Sequence, residues 1–308
     1  MGTPCPRTKK GKTMNTLILT SIEQGLIFSV LAIGVTITFK ILDFADMSVE
    51  GTFPFGAFLF AKFITTGFSP LMSTLLSFAF GTLAGLLTYT LNIKLKIKAL
   101  LSGILTATML YTINLRLNGK SNIGLFSYDS IYDGAEPVIV LILIVFTVKI
   151  LMDVFLKTEI GYLLIATGDN ETLVKSLGED SNKYKLIGLM LSNGLVALSG
   201  ALMAQYQGFS EITMGTGIIV VGIASIIVGD TILRNSRILK MTTRAITGAL
   251  IYKFIGAVAI DLGLAPTDLK AINAIIVILF LSYNTFSPVK VKKMKKERKL
   301  KVVEEVKC

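Results

Sequence analysis

The chain has 308 residues, of which 52% are hydrophobic and only 17% are charged, and its mean hydropathy is +0.70. So few charges exclude a soluble globular protein and indicate an integral membrane protein without a separate soluble domain. The net charge of +11 does not indicate a nucleic-acid partner, because the basic residues flank apolar runs. The chain has no histidine, and its two cysteines lie at positions 5 and 308. This composition argues against a disulfide framework, a metal site and a thiol or imidazole catalyst.

Apolar runs long enough to cross a bilayer occur nine times. They are residues 16–39, 51–67, 70–92, 98–115, 137–156, 186–206, 216–233, 243–262 and 270–285. The sequence therefore predicts an all-α, polytopic membrane helical bundle of about nine transmembrane helices, with eight to ten allowed by the length. The lysine-rich connections predict an N-terminus outside the cell, a cytoplasmic C-terminus and a basic cytoplasmic tail at residues 289–308.

The first 13 residues conflict with this orientation, because Arg7, Lys9, Lys10 and Lys12 would lie on the outer side. A chain that begins at Met14 would carry a nearly uncharged N-terminus. We therefore interpret residues 1–13 as an extension or misassigned start and residues 14–288 as the transmembrane domain. A tenth span is the alternative.

The segment 40–56 interrupts the apolar pattern early, since Asp43, Asp46, Ser48 and Glu50 crowd together just before a run of only about 17 residues that contains Pro54 and Gly56. Polar backbone at membrane depth is tolerated only where it faces protein or a watery cavity. We interpret this segment as the edge of a translocation path. An ordinary cytoplasmic turn is the alternative.

Other polar residues inside the predicted spans are also candidates for a path or a gate. Ionisable groups there are costly unless they face a cavity or a partner, so Asp230 and Lys253 are predicted to pair near the inner gate, with snorkelling of Lys253 as the alternative. The neutral candidates are Gln24, Ser48, Thr52, Asn193, Gln205, Gln207 and Thr213. For Asn193 we favour hydrogen bonding between helices.

The predicted outer loop 118–136 combines acidic and aromatic residues. They are Tyr128, Asp129, Tyr132, Asp133 and Glu136. Such a surface suits electrostatic docking of a basic patch on an external protein. A solvated loop whose acidic groups merely follow the topology is the alternative.

Residues 158–185 form the longest polar interruption in the middle of the chain. Asp169 or Asn170 can cap a helix, Glu171 and Lys175 suit its two ends, and Gly178 supplies a left-handed stop. The pattern predicts a helix of about eight residues that docks against the membrane domain or a soluble partner. A solvated loop with one helical turn is the alternative.

Three blocks carry a family resemblance, and they occur in family order over residues 15–288. The first block is LDFADMSVEG followed by GAF, the second is ATGDNETLVKSLG, and the third is YQGFSEITMGTGIIVVGIASIIVGDTIL. Together they resemble the permease subunits of ABC importers in the branched-chain amino acid and ribose group, above all the tryptophan/tyrosine-type branch. The stricter EAA-type loop of maltose-like importers is absent. The resemblance implies that the middle block is a cytoplasmic element that couples to an ATPase. Its matching positions are Thr167, Gly168, Asp169, Asn170, Glu171, Ser176, Leu177 and Gly178.

The resemblance also implies a bacterial plasma-membrane assembly that imports a small solute, for which an aromatic amino acid is our best interpretation. Its partners would be a second copy of the chain, a cytoplasmic ABC ATPase and an external solute-binding lipoprotein. No Walker A loop is present, so we expect no cofactor on this chain and assign ATP and magnesium to the ATPase partner. The alternative is a stand-alone secondary transporter or channel driven by an ion gradient, and an intramembrane enzyme ranks third.

Overall fold

The computed structural model describes residues 9–233 and 240–261, together with five isolated residues between 274 and 282. Apart from those five residues, the predicted span 270–285 lies outside the described part of the chain. The basic tail 289–308 and the first eight residues of the predicted extension also lie outside it.

Helices make up nearly all of the described chain. The α-helices are α1 (Lys9–Thr36), α2 (Val49–Thr65), α3 (Pro70–Tyr89), α4 (Ala99–Asn118), α5 (Pro137–Phe155), α6 (Glu159–Asp169), α7 (Glu171–Ser176), α8 (Ser181–Gln207), α9 (Ile218–Ile232) and α10 (Met241–Asp261). Strands β1 (Asn122–Gly124) and β2 (Phe209–Glu211) form an antiparallel ribbon. Two π-helical turns, Ile37–Ile41 and Thr90–Lys94, follow α1 and α3, and a 3-10 turn, Ile212–Gly215, precedes α9.

The predicted all-α membrane bundle is confirmed, with a lower number of spans. Seven helical segments of the described residues are long and apolar enough to cross a membrane, against nine predicted. The predicted run 51–67 forms α2, which has only 17 residues and is buried along most of its length. At 1.5 Å per residue it is about 25 Å long, short of the hydrocarbon core of about 30 Å.

Local sequence signals set the ends of several helices. The Ser69 side chain accepts a hydrogen bond from the Met72 amide at the start of α3, where Pro70 occupies the first turn. Asp180 caps α8 by accepting from the Asn182 amide at 3.0 Å. Helix α8 ends at Gly208, whose φ of +73° suits a residue without a β-carbon.

Helix α8 is the central element, and α1, α2 and α3 pack around it. Small residues permit this close packing. A β-carbon at Gly56 of α2 would lie 2.0 Å from the Ala197 carbonyl oxygen, and one at Gly200 of α8 would lie 1.9 Å from the Phe53 carbonyl oxygen. Since lipid provides no hydrophobic drive for association, such contacts hold spans together. The packing role predicted for Gly200 is confirmed.

The bundle has two distinct ends, because α8 begins beside α7 and ends at the ribbon strand β2. The ribbon end carries the loop 119–136, with its acidic residues. The opposite end, which we call the α6–α7 end, carries the lysines of the connection 94–98 together with Lys183 and Lys185 at the start of α8. This asymmetry follows the positive-inside rule and favours a cytoplasmic location for the α6–α7 end.

Candidate functional site

The segment predicted to couple to a soluble partner forms two short helices, α6 and α7, at the α6–α7 end. The Asn170 Oδ1 atom accepts a hydrogen bond from the Leu173 amide at 3.1 Å and caps α7, and Gly178 has a φ of +83°. The predicted cap and left-handed stop are therefore present. Helix α7 has six residues, where the sequence predicted about eight, because the chain leaves the helix at Leu177.

Glu171 fastens α7 to the start of α8. Its carboxylate lies 2.8 Å from the Lys175 ammonium and 2.7 Å from the Lys185 ammonium, and it accepts a hydrogen bond from the Ser181 hydroxyl at 3.0 Å. The hydrogen bonds from Lys175 and then Lys185 lower the pKa of Glu171 to about 2. The sequence indicates a helix-dipole and a coupling role for Glu171, but it gives no sign of this anchor.

One side of the coupling segment is packed and the other is open. Val174 is completely buried and Thr167 nearly so, whereas Leu173 and Leu177 are 50% and 65% exposed. Asp169 and Ser176 are exposed as well. The segment thus presents two leucines and several polar groups at the lysine-rich end of the bundle.

Gly168 brings the coupling segment against the π-turn 37–41. A β-carbon on Gly168 would lie 1.6 Å from the Ile41 carbonyl oxygen, so no larger residue fits while α6 stays in place. The requirement for glycine here follows from the close approach of two backbones rather than from φ. A displacement of α6 towards the π-turn would therefore push on it.

The same π-turn contacts α9 through an ion pair. The Lys40 ammonium binds the Asp230 carboxylate at 2.5 Å, and Arg244 of α10 lies 3.5 Å from the other carboxylate oxygen. The predicted pairing of Asp230 with Lys253 is therefore wrong. Lys253 lies instead 3.6 Å from the centroid of the Phe28 ring, a cation–π contact between α10 and α1.

Three predicted path residues join a buried polar cluster between α2 and α8. The Asn193 amide nitrogen donates to Asp46 at 2.9 Å, while its oxygen accepts from Thr52 at 2.7 Å and lies 3.0 Å from the Ser48 hydroxyl. Ser48 also donates to Asp46 through its amide and its hydroxyl. Ser48, Thr52 and Asn193 hold two helices together in this conformation, and the interhelical role favoured for Asn193 is confirmed.

Two helices begin inside the bundle near this cluster. Asn193 lies near the middle of α8, so the start of α2 lies at a similar depth. Helix α9 begins beside it, where the Glu50 carboxylate accepts a hydrogen bond from the Gly217 amide at 3.1 Å. Helices that start at mid-depth are typical of solute and ion sites in transporters.

A cleft of about 410 Å³ opens between α2, α4 and the 3-10 turn that precedes α9. Two predicted path residues, Glu50 and Thr213, line it. Tyr111 and Asn114 also line it, and the sequence analysis missed both. Ala107, Tyr111 and Asn114 follow the i, i+4, i+7 spacing of one helix face, a signal that could have identified them.

The remaining candidates lie towards the ribbon end and at the α1–α10 contact. Tyr128, Asp129, Asp133, Gln205 and Gln207 line a cavity of about 210 Å³. Within it the Gln205 oxygen accepts from the Ile131 amide at 3.0 Å, and its nitrogen donates to Thr74 at 2.9 Å. Gln205 thereby fastens the loop 119–136 to α3 and α8. Gln24 lies in a separate crevice beside Lys253, and Glu136 is exposed at the start of α5.

Comparison with known proteins gives one consistent result. Residues 17–282 match the family described as branched-chain amino acid transport system / permease component. The chain is 50% identical to a tyrosine transport system permease protein of Clostridioides difficile over 86% of this chain and 90% of that one. It is 28% identical to a ribose import permease protein of Haemophilus influenzae over 77% and 75% of the two chains. Among solved structures it resembles PsaBC from Streptococcus pneumoniae in complex with Fab, with a TM-score of 0.53 and 14% sequence identity. The match covers 84% of this chain and 89% of that one, and it is a likeness of fold alone.

Proposed function

The chain belongs to the branched-chain amino acid transport system permease family, and we propose that it is the membrane subunit of an ATP-driven importer of an aromatic amino acid, tyrosine first. The relative at 50% identity is a tyrosine transport permease, which favours that solute over ribose. The importer works in the plasma membrane of a bacterium, with the α6–α7 end and the C-terminus in the cytoplasm. A second copy of the chain completes the path.

The observation that carries the proposal is the coupling segment. Glu171 and Val174 fix it to the bundle, and Leu173 and Leu177 leave an apolar surface exposed at the lysine-rich end. A cytoplasmic ABC ATPase docks there, and it binds the ATP and magnesium. At the ribbon end, an external solute-binding lipoprotein docks on the surface that contains Asp129 and Asp133.

We infer a mechanical route from the ATPase to the cleft. Displacement of α6 acts through Gly168 on the π-turn 37–41, and Lys40 transmits the movement to Asp230 of α9. The other end of α9 borders the cleft, where Gly217 bonds Glu50. The ATPase can drive this change only if it binds the two conformations with different affinity.

Co-purification tests the proposal. The wild-type chain, extracted with its native membrane partners, is expected to retain an ATPase, and Leu177→Asp and Glu171→Lys are expected to lose it. Phe126→Asp is the matched control, because Phe126 is 80% exposed at the opposite end. Retention of the ATPase by all three variants would reject docking at the coupling segment.

A second candidate function is ion-driven transport, which the buried carboxylate of Asp46 favours, because ionisable groups at membrane depth serve as proton relays in secondary transporters. The same preparation separates the two functions. The absence of any bound ATPase in the wild type, combined with proton-driven uptake that Asp46→Asn abolishes, would replace the ABC assignment.

A further inference from the structure

The cleft between α2 and α4 contains a buried amide that nothing in the described chain satisfies. Asn114 is completely buried, and neither its Oδ1 nor its Nδ2 atom has a hydrogen-bond partner among the described residues. An unpaired buried polar group is costly, and such groups are rare in native structures unless an unseen partner satisfies them. Asn114 lines the cleft, so a molecule that enters the cleft is in position to satisfy this amide.

The other groups of the cleft define the chemistry of that molecule. Among the described residues that line it, Glu50 is the one carboxylate, and none is a lysine or an arginine. The hydroxyl groups of Thr108 and Thr213 already donate, to Ile104 and Glu211, and so offer only acceptor positions to a ligand. Glu50 and these acceptor positions favour a cation with several N–H donors. The Asn114 Nδ2 atom and the hydroxyl groups of Tyr111 and Thr216 can donate to a neighbouring acceptor.

The rest of the lining is apolar or aromatic. Met47, Pro54, Ile104 and Ile212 surround the polar groups, and Tyr111 adds a half-exposed ring. The volume of about 410 Å³ lies within the range of roughly 300 to 1,000 Å³ typical of small-molecule sites. A ligand with a compact zwitterionic head and a flat apolar side chain matches both parts.

We propose that this cleft is a binding site for the solute in transit and that it recognises the zwitterionic head of an α-amino acid. The ammonium group binds Glu50 and the Asn114 Oδ1 atom, the carboxylate accepts from the Asn114 Nδ2 atom, and the side chain lies against Tyr111 and Pro54. The inference rests on the proposed function for its statement that the ligand is transported. The match between the cleft and an amino acid comes from the residues themselves.

Occupancy of this site also acts on the path. Glu50 already holds the Gly217 amide at the start of α9, so an ammonium group that binds Glu50 competes for the same carboxylate. Binding of the solute thereby acts on the start of α9, the helix that Lys40 links to the coupling segment. Both the solute and the coupling segment then act on α9.

Direct binding tests the inference without an ATPase. Purified full-length chain in lipid nanodiscs is titrated with radiolabelled tyrosine, with tyramine, which lacks the carboxylate, and with 3-(4-hydroxyphenyl)propanoate, which lacks the amine, as competitors. Asn114→Leu and Glu50→Gln are each expected to weaken tyrosine binding by about tenfold or more, because each variant loses at least one interaction with a charged group of the ligand. Asn122→Leu, which replaces an exposed asparagine of the ribbon, is the matched control and is expected to bind like the wild type.

The two variants also separate recognition from structure. Glu50→Gln keeps an acceptor for the Gly217 amide and removes only the charge, so it is expected to raise the relative affinity for the amine-free competitor. Asn114→Leu removes an unpaired polar group, so the thermal stability of the ligand-free protein is expected to stay equal or rise. A large loss of stability in Asn114→Leu would show that the amide has a structural partner and would overturn the inference.

Two other results would overturn it as well. Unchanged tyrosine affinity in Asn114→Leu and Glu50→Gln would remove the site while leaving ATP-driven transport intact. Binding of D-ribose that depends on Asn114, with no binding of tyrosine, would overturn the amino-acid assignment. Failure of the proposed function is recognised separately, because it appears as the absence of an ATPase and of ATP-driven uptake rather than as a change in binding.

Discussion

Replacing Asn193 with leucine tests the contact that joins α2 to α8. Asp46 accepts hydrogen bonds from the Ser48 amide, the Ser48 hydroxyl and the Asn193 amide, and the variant removes the third donor. The Thr52 hydroxyl keeps a partner, because it lies 3.0 Å from the Ser48 carbonyl oxygen. The loss is therefore one hydrogen bond to a buried carboxylate, which costs about 1.5 to 3 kcal/mol.

The assay is reversible unfolding of the purified chain in mixed micelles at pH 7, which gives the change in the free energy of unfolding. Asn193→Leu is expected to lower it by about 2 kcal/mol, and the exposed control Asn122→Leu by less than about 0.5 kcal/mol. In an Asp46→Asn background the same change removes only a bond between neutral groups, so its cost is expected to fall to about 1 kcal/mol. Equal costs in the two backgrounds would refute the assignment of the Asp46–Asn193 bond.

The remaining predictions concern the coupling route. Gly168→Ala is expected to abolish ATP-driven uptake while the ATPase stays bound, because the new β-carbon would overlap the Ile41 carbonyl oxygen; uptake above half of the wild-type rate would contradict this contact. Lys40→Met is expected to leave ATP hydrolysis intact and to reduce uptake at least about tenfold, and unchanged uptake would remove Lys40 from the route. Because the folded pKa of Glu171 is lowered from 4.5 to about 2, its anchoring of α7 is complete above the unfolded pKa and is lost as the pH falls from 4.5 towards 2. Pepsin cleavage of the wild type within residues 170–181, measured relative to cleavage of Glu171→Gln at the same pH, is expected to rise over that window; a flat ratio would contradict the anchor.

Much of the bundle could be predicted from the sequence, because membrane-spanning helices appear as long apolar runs and helix caps as local residue patterns. The Asn170 cap and the Gly178 stop depend on residues within one turn, and both are present. The length of α2 was also visible as a short run with polar residues before it. Such features need no knowledge of which helices are neighbours.

The pairings between helices could not be predicted in the same way. Lys40 and Asp230 are 190 positions apart, and which of several cations meets Asp230 depends on how α1 packs against α9. The sequence analysis chose Lys253, which the fold places over Phe28 instead. The need for glycine at Gly168 likewise arises only when α6 meets the end of α1. Asn114 was overlooked because an isolated amide inside an apolar run is usually bonded to a neighbouring helix.

The central claim is that this chain moves its solute when an ATPase acts on the coupling segment. The most direct test is uptake of radiolabelled tyrosine into vesicles reconstituted with the co-purified complex and its binding protein. The account predicts uptake that requires ATP, persists when ion gradients are collapsed by ionophores, and disappears in Glu171→Lys. Uptake that needs no ATP and stops when the proton gradient is collapsed would contradict it.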